Sequence, residues 1–121
     1  MSTHKNLDIW KIAIELVIDV YQFSKNLPSE EKYTLTSQMK RSAISIPSNI
    51  AEGAARKGDK EYLKFLNYAL GSLVELDTQL IIAHGLYGLD GAQLFSKLEA
   101  LKRKILKLMR YLESLHPKER K

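Results

Sequence analysis

Apolar residues recur along this chain in four runs of helical spacing, separated by three short polar breaks. In the first run, Leu7 to Lys25, only Lys11, Glu15, Asp19 and Gln22 interrupt the apolar sequence between Ile9 and Phe23. Their 4-4-3 spacing leaves one thin polar stripe on a helix, whereas a strand would alternate every second residue. A helix apolar round most of its circumference is buried on most sides, and in a 121-residue chain that favours self-association. Asn6 is the expected N-cap, with Asp8 in the first turn complementing the helix dipole.

Pro28 stops the first helix, and the polar Ser29–Lys32 turn leads to Thr34, a second candidate N-cap. From there Leu35, Met39, Ser42, Ile46, Ile50 and Gly53 form one stripe at 4-3-4-4-3 spacing. About a hundred degrees round runs a ridge of small residues, Ala43, Pro47, Ala51 and Ala54. Small side chains at this spacing let another helix approach, so these four residues are the candidate oligomer interface. Pro47 lacks an N–H and its ring crowds the carbonyl of Ala43. The residues read either as one helix kinked at Pro47 or as two helices broken at Ser45–Pro47, and the continuous kinked helix is the expectation. Gly58 closes it as a C′ residue.

Asp59 reads as the N-cap of the third helix, whose seam is Tyr62, Leu66, Ala69, Leu73, Leu76, Leu80, Ala83 and Tyr87. This 4-3 repeat runs unbroken, and the helix spans about 43 Å at 1.5 Å per residue. Gly85 and Gly88 fray and end it. The fourth helix repeats the pattern with Leu94, Leu98, Leu101, Ile105, Leu108, Leu112 and Leu115. The segments are thus about 7–25, 34–57, 59–87 and 90–115. Four helices on short connections predict an all-α, antiparallel, up-down-up-down four-helix bundle, one domain over residues 1–121.

Charge changes the picture at one end only. The net charge is +5, yet residues 1–89 hold ten basic and ten acidic side chains. Residues 90–121 hold nine basic against four acidic, so the whole excess lies in the last quarter. Arg103, Lys107 and Arg110 line one face of helix 4, while Arg56, Lys57, Lys60 and Lys64 cluster at the turn between helices 2 and 3. These seven are the candidate nucleic-acid contacts, acting on phosphates rather than bases. A solvated basic helix face is the competing reading. Aromatic partners for base stacking are few: Tyr62, Tyr68 and Tyr111. The tail from His116 is basic and expected to fray.

Other chemistry finds little support. There is no cysteine, so disulfides and thiolate metal sites are excluded. His4, His84 and His116 are scattered, one in each tail and one at a helix end, so no metal or cofactor is expected. No nucleophile elbow or glycine-rich phosphate loop is present, and a non-enzymatic role is expected. Arg41, Ser45, Ser48, Asn49 and Glu52 form a polar edge on helix 2, read either as a recognition edge or as a network that fixes helix register. The N-terminus lacks a signal-peptide pattern and no stretch is apolar enough to span a bilayer, which leads us to expect a cytoplasmic protein without a membrane role.

Three segments carry a resemblance: LDIWKIAIELVIDVY, EKYTLTSQMKRSAISIPSNIAEGAAR and EYLKFLNYALGSLVELDTQL. They resemble the proteins encoded in intervening sequences of bacterial 23S rRNA genes, over about residues 7–112. Thr34 stands where that family often has glycine. The resemblance implies an antiparallel four-helix bundle assembled as a homopentamer round a central channel. A related branch is the accessory variability determinant of diversity-generating retroelements, a basic pentamer that partners a reverse transcriptase and binds nucleic acid. The expected partners are therefore other copies of the chain, RNA or DNA, and in a second reading a protein such as a reverse transcriptase.

Overall fold

The apolar seams become helix interfaces in the computed structural model, which describes His4 and residues 7–117. The described residues form four α-helices and no strand: α1 (Asp8–Ser24), α2 (Leu35–Ala55), α3 (Asp59–Tyr87) and α4 (Ala92–Ser114). A short 3-10 turn, Ser29–Glu31, sits in the α1–α2 connection. Each helix packs on its neighbours in the chain, α4 returns to α1, and among the described residues no diagonal pair packs together. The result is a four-helix bundle with one core.

That core is the set of seam residues. Leu16 and Val20 of α1, Met39, Ile46 and Ile50 of α2, Leu66, Leu76 and Leu80 of α3, and Leu98, Leu101 and Ile105 of α4 are sealed from solvent. Deep leucine-rich packing of this kind is the main favourable term for a domain of this size. The ends of the predicted seams are less covered: Tyr62, Tyr87 and Leu108 are half-buried, and Leu115, past the end of α4, is exposed.

α2 runs unbroken through Pro47, so the two-helix alternative falls. Next to Pro47, Asn49 Nδ2 donates to the Ser45 carbonyl at 2.8 Å and to Ser45 Oγ at 2.9 Å. Several helix ends differ from the expected ones. α2 stops at Ala55, because Arg56 is extended. Gly58 (φ +87) starts the turn into α3 and does not cap α2, and Asp59 is the first residue of α3. Thr34 does not cap α2 with its side chain; instead the Glu31 carboxylate accepts from Thr34 Oγ at 2.6 Å and from the Leu35 N–H at 3.4 Å. α3 continues through Gly85 and ends at Gly88, where a left-handed residue returns its N–H to the His84 carbonyl at 2.8 Å. α4 begins two residues late because Asp90 acts as a cap, its Oδ1 accepting the Ala92 N–H at 2.9 Å. Asn6, the expected cap of α1, and the tail from Lys118 lie outside the described residues.

Candidate nucleic-acid interface

Three contacts define one end of the bundle. Asp59, at the start of α3, bonds His116, just past α4, at 2.7 Å. Lys104 of α4 reaches Asp8 at the start of α1 at 2.9 Å. Gly53, near the end of α2, lies against Tyr62 and Phe65 of α3. This end therefore gathers the start of α1, the end of α2, the start of α3 and the second half of α4. In the sequence the basic candidates lie at the α2–α3 turn and on α4, about fifty residues apart. The fold brings these two groups to the same end.

The fold also sorts the cations of α4 into two rows. Lys97 and Lys104, seven residues apart, face α1 and pair with Asp19 and Asp8. Arg103, Lys107 and Arg110 lie on the outer face, all exposed, and no carboxylate among the described residues pairs with them. At the turn, Lys57, Lys60 and Lys64 are likewise exposed and free of ion pairs among the described residues. Arg56 differs: it binds Glu52 at 2.7 Å and stacks its guanidinium over the Phe65 ring at 5.0 Å. Lys64 lies over the same ring at 5.8 Å. Phe65 thus holds two cations in place near the turn, an arrangement of which sequence spacing alone gives no sign. Cation–ring contacts at exposed sites contribute about 0.5–1 kcal/mol each.

Of the aromatic residues near these charges, Tyr62 is half-buried with its hydroxyl sealed and without a hydrogen-bond partner, and burial pushes its phenol above the usual range. Tyr68 meets Phe65 edge-on and Tyr111 is exposed on α4. The surface as a whole presents cations at a helical rise of 1.5 Å per residue, which suits a row of phosphates better than a set of bases.

The polar edge of α2 reaches α3 through Ser45, while Arg41 and Ser48 are exposed. Ser72 of α3 donates to Ser45 Oγ at 2.7 Å, Asn49 braces Ser45, and Glu52 pairs with Arg56 rather than Arg41. The small-residue ridge is used largely within the chain. Ala43 is fully buried and Pro47 buried, while Ala51 and Ala54 are only half-covered. Pro47 and Ala51 floor a shallow groove of about 360 Å³ between α1 and α2, together with Trp10, Ile14 and Val17.

A second, more polar cleft of about 390 Å³ opens between the end of α1 and the start of α4. Its carboxylates are engaged, Asp19 by Lys97 and Asp90 as the helix cap. Among the described residues no cluster of three or more His, Cys, Asp or Glu could hold a metal ion. No described helix is long and apolar enough to cross a membrane. At the end of the bundle opposite the basic one, Tyr87 donates its hydroxyl to the Glu31 carboxylate, linking α3 to the 3-10 turn. That bond pushes the Tyr87 phenol up to about 12. Bonds from Thr34 first and Tyr87 second hold Glu31 below the usual carboxylate range.

A family model, that of the 23S rRNA-intervening sequence protein, matches residues 5–112. The chain belongs to the 23S rRNA-intervening sequence protein family. The match extends from the N-terminal side of α1 to Leu112 of α4, and so takes in both the outer row of α4 and the α2–α3 turn. Comparison with curated proteins returns no match.

Proposed function

We propose that this chain is a non-enzymatic, homo-oligomeric bundle, pentameric as its family resemblance implies, that holds RNA or DNA loosely through its sugar-phosphate backbone. The carrying observation is the convergence of the α2–α3 turn and the outer row of α4 at one end, where six of the seven candidate cations are exposed and lack an acidic partner among the described residues. In this reading the helices alternate in direction. Supporting it, Ser45 meets Ser72 whereas Gly53 meets Phe65, so the partner number falls as the α2 number rises. Asp19–Lys97 and Asp8–Lys104 run the same way between α1 and α4. Pro47 bends α2, as a helix-interior proline does. The site of action is the cytoplasm.

Phosphate contacts release counterions, so affinity for a 23S rRNA fragment should fall steeply, by about 10³-fold or more between 50 and 200 mM salt if six or more phosphates are engaged. A gel-shift titration reads this. No binding at 50 mM salt would remove the proposal. A second reading makes the chain an accessory subunit of a protein partner such as a reverse transcriptase, following the retroelement branch of the resemblance. It is favoured by the uncovered apolar surface on α1, α2 and α3, where Ile18, Ile44, Val74 and Ile81 are exposed. A pull-down that retains one protein after nuclease treatment distinguishes it.

A further inference from the structure

Two apolar surfaces have no cover within the chain, and they differ in shape. One is the concave groove between α1 and α2, with Ile44 on its rim 43% exposed and Ile18 beside it 57% exposed. The other is the convex flank of α3 turned away from α2. Val74, Thr78 and Ile81 recur there at 4-3 spacing, and Val74 and Ile81 are more than half exposed. Contiguous exposed apolar surface on a small chain marks an interaction site.

Glycine supplies an independent observation. Within a helix it costs about 1 kcal/mol relative to alanine. At Gly53 the fold explains it, because a Cβ there would lie 2.8 Å from Phe65 Cβ. Gly71 and Gly85 bracket the Val74–Ile81 stripe, and beyond the adjoining residues and backbone of α3 itself a Cβ at either would have no described atom within 4 Å. Nothing among the described residues needs these two glycines, whereas close approach of another backbone would. The charges are complementary as well. Between residues 65 and 83 α3 carries only acidic charges, Glu75 and Asp77, and between residues 35 and 51 α2 carries only basic ones, Lys40 and Arg41. Lys40 of α2 lies over Tyr21 of α1, 4.6 Å from the ring centre and one helical turn from Ile44.

We infer that the Gly71–Gly85 flank of α3 in one copy seats in the α1–α2 groove of the next. This rests on the homo-oligomer reading above and names its surfaces. The contact is head-to-tail, so each copy uses its groove once and its flank once, and the assembly closes when the rotation between copies allows. A two-fold dimer would pair groove with groove or flank with flank.

Complementation tests it. Ile44→Glu breaks the groove and Ile81→Glu breaks the flank, both at exposed positions where helical content by circular dichroism should be unchanged. Each variant alone should sediment as a single chain of 13.8 kDa. An equimolar mixture should form dimers of twice that mass, because one intact groove and one intact flank remain. A variant that keeps the wild-type mass, or a mixture that stays monomeric, overturns the pairing while leaving self-association standing. Wild-type protein that itself sediments as one chain removes the homo-oligomer reading instead. The chain has no cysteine, so oxidation of Ile44→Cys and Ile81→Cys variants gives a readout in wild-type-like assemblies. The double variant should form a covalent ladder and each single variant none. Dimers from either single variant would show like-with-like pairing and contradict the inference.

Discussion

The α2–α3 pair and the α1–α4 pair are joined in different ways. Between α2 and α3 the backbones come close enough that Gly53 has no room for a Cβ, and Ser72 donates to Ser45 across the seam. These helices are joined by a three-residue turn, and the bonded serines are 27 positions apart. Between α1 and α4 the specific polar links are Lys97–Asp19 and Lys104–Asp8, exposed ion pairs whose partners are 78 and 96 residues apart. Steric fit fixes the first pair. Leucine burial with a charged margin holds the second. A tight seam formed from neighbouring segments sets the register of the bundle, and the looser seam leaves the outer face of α4 free to carry charge.

Substitutions should separate the two seams. Gly53→Ala gains helix propensity, but its methyl group meets Phe65 Cβ and the Tyr62 carbonyl, so it should lower stability by about 1–3 kcal/mol. Ser72→Ala removes the cross-seam hydrogen bond and should cost about 1 kcal/mol. Lys104→Ala, at the α1–α4 margin, should cost no more than about 0.5 kcal/mol, since its ion pair is half or more exposed and screened by salt. Denaturant unfolding at matched protein concentration ranks the three. A Lys104→Ala cost equal to that of Gly53→Ala would dissolve the distinction.

A pH titration sharpens the comparison at the opposite end. The folded state holds Glu31 below its usual range, so its contribution is present above about pH 4.3 and is lost as pH falls through the lowered folded value. Tyr87 is shifted upward by the same bond, so that bond also weakens as pH rises from about 10, the unfolded value, to about 12. Glu31→Gln should flatten the acid limb of the stability profile. A variant with an unchanged acid limb would show that other carboxylates set it.

Much of this fold is legible in the sequence because period and residue type coincide. The Leu66-to-Ala83 and Leu94-to-Leu112 repeats name the buried faces almost residue for residue, and the stripe through Pro47 matches an α2 that is continuous there. Helix ends are less legible. Glu31 takes over the capping expected of Thr34, and Asp90 holds the start of α4, because local hydrogen bonds, not periodicity, decide where a helix starts. The seven basic candidates are visible as types, but their meeting at one end is not, since Asp59–His116 and Asp8–Lys104 join distant positions. The division of α4 into a paired row at Lys97 and Lys104 and an unpaired row at Arg103, Lys107 and Arg110 depends on where α1 lies. The small ridge at Ala43 and Pro47 reads as an external surface because a spacing rule cannot tell which neighbour covers it; Pro47 lies beside Trp10, Ile14 and Val17 of α1.

The central claim is that the outer row of α4 faces an anionic polymer while the inner row serves the fold. The direct measurement is the salt dependence of binding to a 23S rRNA fragment. It compares the wild type with two variants, one carrying Arg103→Ala, Lys107→Ala and Arg110→Ala, the other Lys97→Ala and Lys104→Ala. The first should lower the log–log salt slope by about 0.7–0.9 for each phosphate it no longer neutralises, and the second should leave it near the wild-type value. Equal slopes in all three proteins, or a larger drop in slope from the Lys97 and Lys104 substitutions, would contradict the account.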